Sequence, residues 1–169
     1  MNLSDRFRKW ILQPAEAPAL PTPASDDPVD HARMRAQLGL HEGVRDKIYT
    51  DSVGKVSIGI GRNLTDKGLR RSEIELMYRN DVAESIAELD RVLPWWRRLD
   101  EVRRRVLVDM MFNMGAPTLL GFKNTLGMVE RGQYREAAEN MLASKWSAQT
   151  GARARRLAAM MGSGMDWTK

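Results

Sequence analysis

The 169-residue chain has no cysteine, which excludes disulfide bonds and metal sites built on thiolates. Its two histidines, His31 and His41, are too few and too scattered for a convincing metal centre, so we expect neither a metal nor another cofactor. No apolar run approaches the ~20 residues of a membrane-spanning helix. The first twelve residues carry charges throughout, unlike the apolar core of a signal peptide. We therefore expect no stable insertion into a membrane.

Proline is scarce outside one short stretch. Five of the seven prolines lie between residues 13 and 28, a composition typical of an extended linker. The residues before this linker predict a short amphipathic helix with one apolar face. That face comprises Leu3, Phe7, Trp10 and Ile11. We therefore assign residues 1–29 to an arm and linker, and residues 30–169 to the folded domain.

Basic residues are concentrated in the C-terminal half. The net charge is +5, yet residues 95–156 contain twelve Lys/Arg against six Asp/Glu, whereas residues 1–94 contain fourteen against fifteen. Such an asymmetry favours an anionic partner, and nucleic acid, a membrane surface and an anionic cell wall all qualify. A merely solvated helical surface explains the same charge equally well.

A helical pattern that starts near Val29 ends at a glutamate. Gly43 is a natural helix terminator, so Glu42 is predicted to lie in the last helical turn. At that end the negative pole of the helix macrodipole opposes the ionised carboxylate. This environment suits a general acid.

A β-hairpin is predicted directly after this helix. Apolar residues alternate on both sides of the turn sequence DSVG, which starts at Asp51. Ser57 then falls on the returning strand. Hydrolysis of a glycosidic bond needs one protonated and one ionised carboxyl group, and Glu42 and Asp51 occupy environments that differ in this way. A Glu and an Asp at this separation also occur by chance, so spacing alone leaves the interpretation open.

The remainder of the chain is predicted to be helical. Residues 70–93 form one long pattern, with Ser72 as the N-cap and Glu75 completing a capping box. Residues 99–115 are apolar nearly all round, which indicates the centre of a core. One polar line runs along this helix through Arg105, Asp109 and Asn113. It indicates either a buried Arg105–Asp109 pair or a binding surface that includes Asn113 and Phe112.

Shorter helices are predicted to follow, around residues 116–121, 123–131, 134–142 and 145–162. Trp146 and Leu157 are expected in the core. Three arginines near the end are expected on a solvated face. They are Arg153, Arg155 and Arg156.

Two blocks of residues resemble the T-even phage lysozyme family, the phage endolysins and related muramidases. The first is E-G-x-R-x-x-x-Y-x-D-x-x-G-x-x-[TS]-I-G-I-G, from Glu42 to Gly61. The second comprises RRRVLVDMMFNMG (103–115), GFKNTL (121–126), EAAENMLASKW (136–146), QTGARARR (149–156) and the terminal MDW. The resemblance covers roughly residues 30–169, all but the arm and linker.

The resemblance implies a mainly helical α+β fold with two lobes. A small β-hairpin lobe would span about residues 42–70 and a helical lobe about residues 95–169. A long helix over about residues 72–93 would connect them, with a substrate cleft between the lobes.

The resemblance also implies a peptidoglycan hydrolase. The family cleaves the β-1,4 bond between N-acetylmuramic acid and N-acetylglucosamine with inversion. Glu42 matches its general acid, Asp51 matches the carboxylate that positions water, and Ser57 falls where the family often has Thr. Sugar-contacting positions fall on Asn63, Phe112, Thr125 and Asn140, with Asn113 beside them.

Three departures from the family pattern concern named side chains, and one of them is Asn63, which replaces an apolar residue. Ser57 keeps the hydroxyl but lacks the methyl group that restricts a threonine rotamer, so we expect looser placement of water. Arg62 stands where the best-known member has a His paired with an Asp. We expect Arg62 to pair with Asp81, which matches that Asp.

Bacterial peptidoglycan is therefore the expected partner, and its carboxylates now account for the basic half better than nucleic acid does. We expect a monomer that is made in the host cytoplasm and acts on the periplasmic wall, and the arm is also compatible with a virion-associated enzyme. Two alternatives stay open. They are a non-catalytic wall-binding module and a basic nucleic-acid-binding domain, although the chain lacks a recognisable nucleic-acid-binding motif.

Overall fold

The computed structural model of the protein describes residues 27–166. The predicted amphipathic arm, most of the linker and the last three residues lie outside the described residues. The chain divides into two compact units, of which the first ends at Tyr78 and the second begins at Arg79.

The first unit opens with helix α1, His31–Glu42. Asp30 caps its N-terminus by accepting a hydrogen bond from the backbone N–H of Arg33. Gly43 ends the helix with φ 72°, a conformation that favours glycine, and its N–H donates to the carbonyl of Gly39 at 3.1 Å. The predicted position of Glu42 in the last turn is confirmed, and Glu42 is the final residue of the helix.

A three-stranded antiparallel sheet follows in the order β1-β2-β3. Its strands are β1 (Arg45–Thr50), β2 (Val56–Gly59) and β3 (Arg62–Asn63). The first two form the predicted hairpin, and β3 is an addition that the sequence patterns did not indicate. A short helix α2, Leu64–Lys67, then turns the chain toward the next element.

Helix α3, Arg71–Val92, runs across the division between the units. Its predicted end before Pro94 is confirmed, but the predicted cap is wrong. The helix starts before Ser72, and the side chain of Glu73 accepts a hydrogen bond from the backbone N–H of Arg70. The capping glutamate thus lies two residues earlier than the sequence pattern suggested, because the helix begins earlier.

The second unit continues through a 3₁₀ turn, Trp96–Arg98, into five helices within the described residues. They are α4 (Glu101–Leu120), α5 (Lys123–Glu130), α6 (Tyr134–Leu142), α7 (Lys145–Thr150) and α8 (Ala152–Ser163). Helix α4 is interrupted at Gly115, where φ is 72°, and Pro117 follows this break. The interruption agrees with the predicted boundary between residues 115 and 116.

The hydrophobic core of the described residues lies in the second unit. Its largest fully buried side chains are Leu89, Leu107, Met110, Leu119, Met141, Met161, Val106 and Val129. Helix α4 supplies several of them, as its nearly continuous apolar surface predicted. Trp146 and Leu157 are also buried, as expected. The mainly helical α+β architecture with a small antiparallel sheet is therefore confirmed.

Arg105 and Asp109, which lie on the polar line along α4, bind other residues and not each other. Asp109 binds Arg153 of α8, with Oδ1 and Nε 2.7 Å apart. Arg105 instead forms ion pairs with Glu101 and Asp166, at 2.7 and 2.9 Å. Of the two interpretations of this polar line, the Arg105–Asp109 pair is wrong, because partners distant in sequence reach both side chains.

Candidate functional site

The carboxyl group of Glu42 lies beside the backbone of Gly61, in the turn between β2 and β3. A Cβ atom added to Gly61 would lie 3.0 Å from Oε2 of Glu42 and 3.1 Å from its Cδ. Gly61 also has φ 67°, in the region that favours glycine. The bare backbone at this position therefore lets the carboxyl group of Glu42 rest against the turn that follows β2.

Asp51 is held by backbone donors within its own turn. Its Oδ1 accepts hydrogen bonds from the N–H groups of Val53 and Lys55, at 3.0 and 2.8 Å. Its own N–H donates to the carbonyl of Lys55 at 2.9 Å. Within the described residues Oδ2 makes no hydrogen bond, so one carboxylate oxygen is fixed and the other is available to a water molecule or a substrate.

Ser57 lies on the central strand of the sheet. It pairs in register with Tyr49 of β1 and with Asn63 of β3. Only 3% of its surface is exposed, and among residues 27–78 no other residue is buried. The hydroxyl group is therefore placed by the strand pairing on both sides of it.

The three catalytic candidates are thus all positioned by one short segment of the first unit. Asp51 directly follows the last residue of β1, Ser57 lies on β2, and Glu42 rests against the turn after β2. Hydrolysis of a glycoside by an activated water molecule needs two carboxyl groups, one protonated and one ionised, and this segment carries one at a helix end and one in a turn.

Asn63 has a structural task in the described chain. Its Oδ1 accepts a hydrogen bond from the N–H of Asp66, and its Nδ2 donates to Asp66 Oδ2, both at 2.9 Å. Asn63 thereby caps α2. Asp66 also binds Lys55 at 2.7 Å, and this hydrogen bond lowers the pKa of Asp66. A sugar contact from Asn63 stays a prediction and would have to use an amide that is already engaged.

Arg62 is bound by residues other than the one expected. Its guanidinium donates to the carbonyl of Gly68, at 2.8 Å from Nη2, and to Glu73 Oε2 at 3.3 Å. The expected partner was Asp81. The arginine therefore ties β3 to the start of α3, and Glu73 serves both as its partner and as the cap of that helix.

Two of the predicted sugar-binding asparagines are oriented by neighbouring side chains. Asn113 Oδ1 accepts a hydrogen bond from the indole N–H of Trp146 at 2.9 Å. Asn140 Oδ1 accepts one from the hydroxyl of Thr125 at 2.7 Å. Within the described residues neither amide NH₂ group makes a hydrogen bond, so both can donate to substrate oxygens.

Only 2% of the surface of Thr125 is exposed, and its hydroxyl group donates to Asn140. Thr125 therefore orients Asn140. Phe112 differs, with 48% of its surface exposed. It borders a cavity of about 710 Å³ together with acidic residues of α3, including Asp81 and Glu84. An exposed aromatic ring on a concave surface is suited to packing against a sugar.

Asn113 and Asn140 line a second cavity of about 970 Å³ in the second unit. Trp146 forms part of its wall and packs edge-to-face against Phe122, with ring centroids 6.0 Å apart. The sequence patterns identified Trp146 only as a core residue. Its contact with Asn113 joins positions 33 residues apart, and no local pattern carries that information.

Two further observations concern the described part of the chain, residues 27–166. No group of three or more His, Cys, Asp or Glu side chains there is arranged to hold a metal ion. No helix in that range combines the length and the apolar character needed to cross a bilayer.

Comparison with known proteins points to one family. A family model described as phage lysozyme matches residues 39–160. Probable T4-type lysozymes 1 and 2 of Dictyostelium discoideum are 25% and 26% identical over 160 residues, which cover 78% of this chain and 94% of each relative. The pre-baseplate central spike protein Gp5 of Enterobacteria phage T4 is 24% identical over 183 residues, which cover 92% of this chain and 32% of that protein.

Proposed function

Because the chain belongs to the phage lysozyme family, we propose that it cleaves the β-1,4 bond between N-acetylmuramic acid and N-acetylglucosamine in bacterial peptidoglycan. The observation that carries the proposal is the contact of the Glu42 carboxyl group with Gly61, beside the hairpin that fixes Asp51. This arrangement supplies an acid and a second carboxylate from separate elements of one unit.

Glu42 acts as the general acid in this proposal. It donates its proton to the glycosidic oxygen as the bond to the leaving sugar breaks. Asp51 accepts a proton from the attacking water molecule through the carboxylate oxygen that its turn leaves without a hydrogen bond. Ser57 holds the same water through its hydroxyl group. Attack from the face opposite the leaving group inverts the anomeric configuration.

The second unit supplies sugar contacts in this proposal. Phe112 packs against a sugar ring, and Asn113 and Asn140 donate hydrogen bonds from their NH₂ groups to sugar oxygens. Thr125 acts through Asn140. The excess of basic residues between 95 and 156 attracts the anionic wall over a longer range, an effect that salt weakens.

The test is the release of reducing ends from purified peptidoglycan. Glu42→Gln keeps the shape of the side chain and removes the acid, so we expect loss of activity with an unchanged unfolding temperature. Glu75→Gln removes one acid from α3 of the same unit and serves as the matched control, with activity retained. Equal activity of Glu42→Gln and wild type would refute the assignment, whereas wall binding without any release by the wild type would support a non-catalytic module.

The place of action is a second part of the proposal. We propose that the chain is carried with the phage particle, because most of its length matches part of a pre-baseplate central spike protein. Mass spectrometry of purified virions would detect it if this is correct. Detection only in the lysate of infected cells would favour release of the enzyme at the end of infection.

A further inference from the structure

One face of the small antiparallel sheet is apolar and largely exposed. Tyr49 of β1 pairs with Ser57 of β2, so these two side chains share one face of the sheet. Successive side chains of a strand point to opposite faces, so Ile48, Val56 and Ile58 lie on the other face. Ile48 is 67% exposed and Val56 is 38% exposed. These three residues are called the hairpin face below.

The helix next to the sheet leaves the hairpin face exposed. Helix α2 has four residues, and none of them is buried. It is attached near the start of β2, where the N–H of Val56 donates to Thr65 Oγ1 at 2.9 Å and Lys55 pairs with Asp66 at 2.7 Å. Ile48 and Val56 stay exposed in spite of these contacts. A longer apolar segment is needed to cover the hairpin face.

The described part of the first unit has little apolar core. Among residues 27–78 the only buried residue is Ser57, and no apolar side chain in that range is buried. Leu40 and Val44, at the junction of α1 and β1, are exposed as well. A folded unit offsets its loss of conformational entropy mainly by burying apolar surface. We therefore expect a further segment to complete this core.

The sequence before Asp27 contains a segment with the required chemistry. Residues 1–12 predict a short helix with one apolar face, which comprises Leu3, Phe7, Trp10 and Ile11. Two of these four side chains are aromatic, and aromatic side chains bury the largest areas in apolar contacts. An isolated helix of this length is marginal in water. Docking on an apolar surface would therefore stabilise the helix and cover that surface.

The linker is long enough to bring this arm to the hairpin face. Residues 13–26 span up to about 45 Å when extended, and their proline-rich composition favours an extended chain. A unit of the size of residues 27–78 has a radius of gyration of ~10 Å. The linker joins the unit at Asp27, directly before α1. From that point its length permits contact with any face of the first unit.

We infer that residues 1–12 dock on the hairpin face, with the apolar side chains of the arm packed against Ile48 and Val56. The arm thereby completes the apolar core of the first unit. Because Ser57 lies on the opposite face of β2, docking also steadies the strand that carries the proposed catalytic hydroxyl group. The inference does not depend on the proposed hydrolysis, since it concerns packing alone.

The first experiment measures amide hydrogen exchange of β1 and β2 in the full chain. Phe7→Ser/Trp10→Ser removes the aromatic part of the apolar face of the arm, and we expect these amides to exchange about tenfold faster. Asp5→Ser/Lys9→Ser is the matched control, because it keeps the apolar face and, like the aromatic variant, leaves the net charge unchanged. The control should exchange like the wild type. Equal exchange of the aromatic variant and wild type would overturn the inference.

The second experiment asks whether the arm and the hairpin face contact each other. Trp10→Ser and Ile48→Ser are made singly and together, and chemical denaturation measures the free energy of unfolding of each variant. Each substitution removes the same contact, so we expect the double variant to lose clearly less stability than the sum of the two single losses. Additive losses would overturn the inference, because they would leave the hairpin face to another partner.

Met165→Ser is the control for this cycle. Met165 lies in the second unit and is 70% exposed, close to the exposure of Ile48. Its effect should add to that of Trp10→Ser. A non-additive result of the same size would show that Trp10 acts on the whole chain and not on the hairpin face, and it would also overturn the inference.

Sedimentation velocity distinguishes the arm from a second copy of the chain as the occupant. We expect the wild type and Ile48→Ser to be monomers over the whole range of concentrations. A dimer that forms with rising concentration and that Ile48→Ser dissociates would assign the hairpin face to a second copy. That result would overturn docking of the arm.

Discussion

The carboxyl group of Glu42 lies against the backbone of Gly61, where a Cβ atom would come within 3.0 Å of Oε2. This contact joins the last residue of α1 to the turn between β2 and β3. It gives Gly61 a role beyond its backbone conformation, because any larger residue there has to displace the proposed catalytic acid.

Gly61→Ala tests that role. The added methyl group meets the flexible end of Glu42, which has to shift by a few tenths of an ångström. We therefore expect kcat to fall by up to about tenfold, less than the ~10²-fold cost of misplacing a reacting group by ~1 Å. The positive φ adds a destabilisation of about 1–2 kcal/mol. Reducing-end release and chemical denaturation measure the two effects separately.

Gly59→Ala is the matched control for this substitution. Gly59 has nearly the same φ, 68°, but a Cβ atom there meets nothing within 4 Å. It should lose similar stability and keep its activity. If both variants lost activity equally, backbone strain in the sheet would explain the result and the contact with Glu42 would not.

Ser57 provides a second test, directed at the water molecule. Ser57→Ala removes the hydroxyl from the buried strand position, and we expect kcat to fall by about 10²-fold as the water loses its second ligand. Ser57→Thr keeps the hydroxyl and restricts its rotamer, so activity should equal or exceed that of the wild type. Ser52→Ala, in the exposed turn, should have no effect. A Ser57→Ala variant with full activity would remove Ser57 from the site.

The lowered pKa of Asp90 leads to a prediction of how the stability of the folded protein depends on pH. Hydrogen bonds from Arg97 and from the Trp96 indole lower the pKa of Asp90 from 3.8 to about 2. A folded-state pKa below the unfolded value stabilises the protein fully above pH 3.8, and this contribution disappears as the pH falls toward about 2. Asp90→Asn should therefore lower the unfolding temperature at pH 7, with the difference from wild type shrinking below pH 3.8.

Asp46→Asn is the control for this pH dependence, because Asp46 is exposed and makes no ion pair within the described residues. Its unfolding temperature should follow that of the wild type at every pH. A constant difference between Asp90→Asn and wild type down to pH 2 would show that the carboxylate charge of Asp90 contributes nothing.

The sequence predicted those features that depend on neighbours in the chain. The end of α1 at Glu42 follows from Gly43, and the turn at Asp51 follows from DSVG and the alternation around it. The family resemblance, confirmed by the match over residues 39–160, supplied the roles that we propose for Glu42 and Asp51. Local conformation and residue type are sufficient to predict both the end of α1 and the turn at Asp51.

Contacts between distant residues were not predictable in the same way. The partner of Asp109 is Arg153, 44 positions away, and the partner of Asn113 is Trp146. Each helix carries several side chains that could form the same kind of ion pair or hydrogen bond. The packing of the helices decides which of them meet. Even the local cap at Glu73 was missed, because Ser72 offered a second plausible start for the helix.

The stereochemistry of the product tests the central claim most directly. If Glu42 is the acid and Asp51 activates water, ¹H NMR during early hydrolysis of a peptidoglycan fragment should show the new reducing end first as the α-anomer, inverted from the β-linkage, before mutarotation. Initial appearance of the β-anomer would show retention and would contradict the role of Asp51, and no cleavage at all would contradict the whole account.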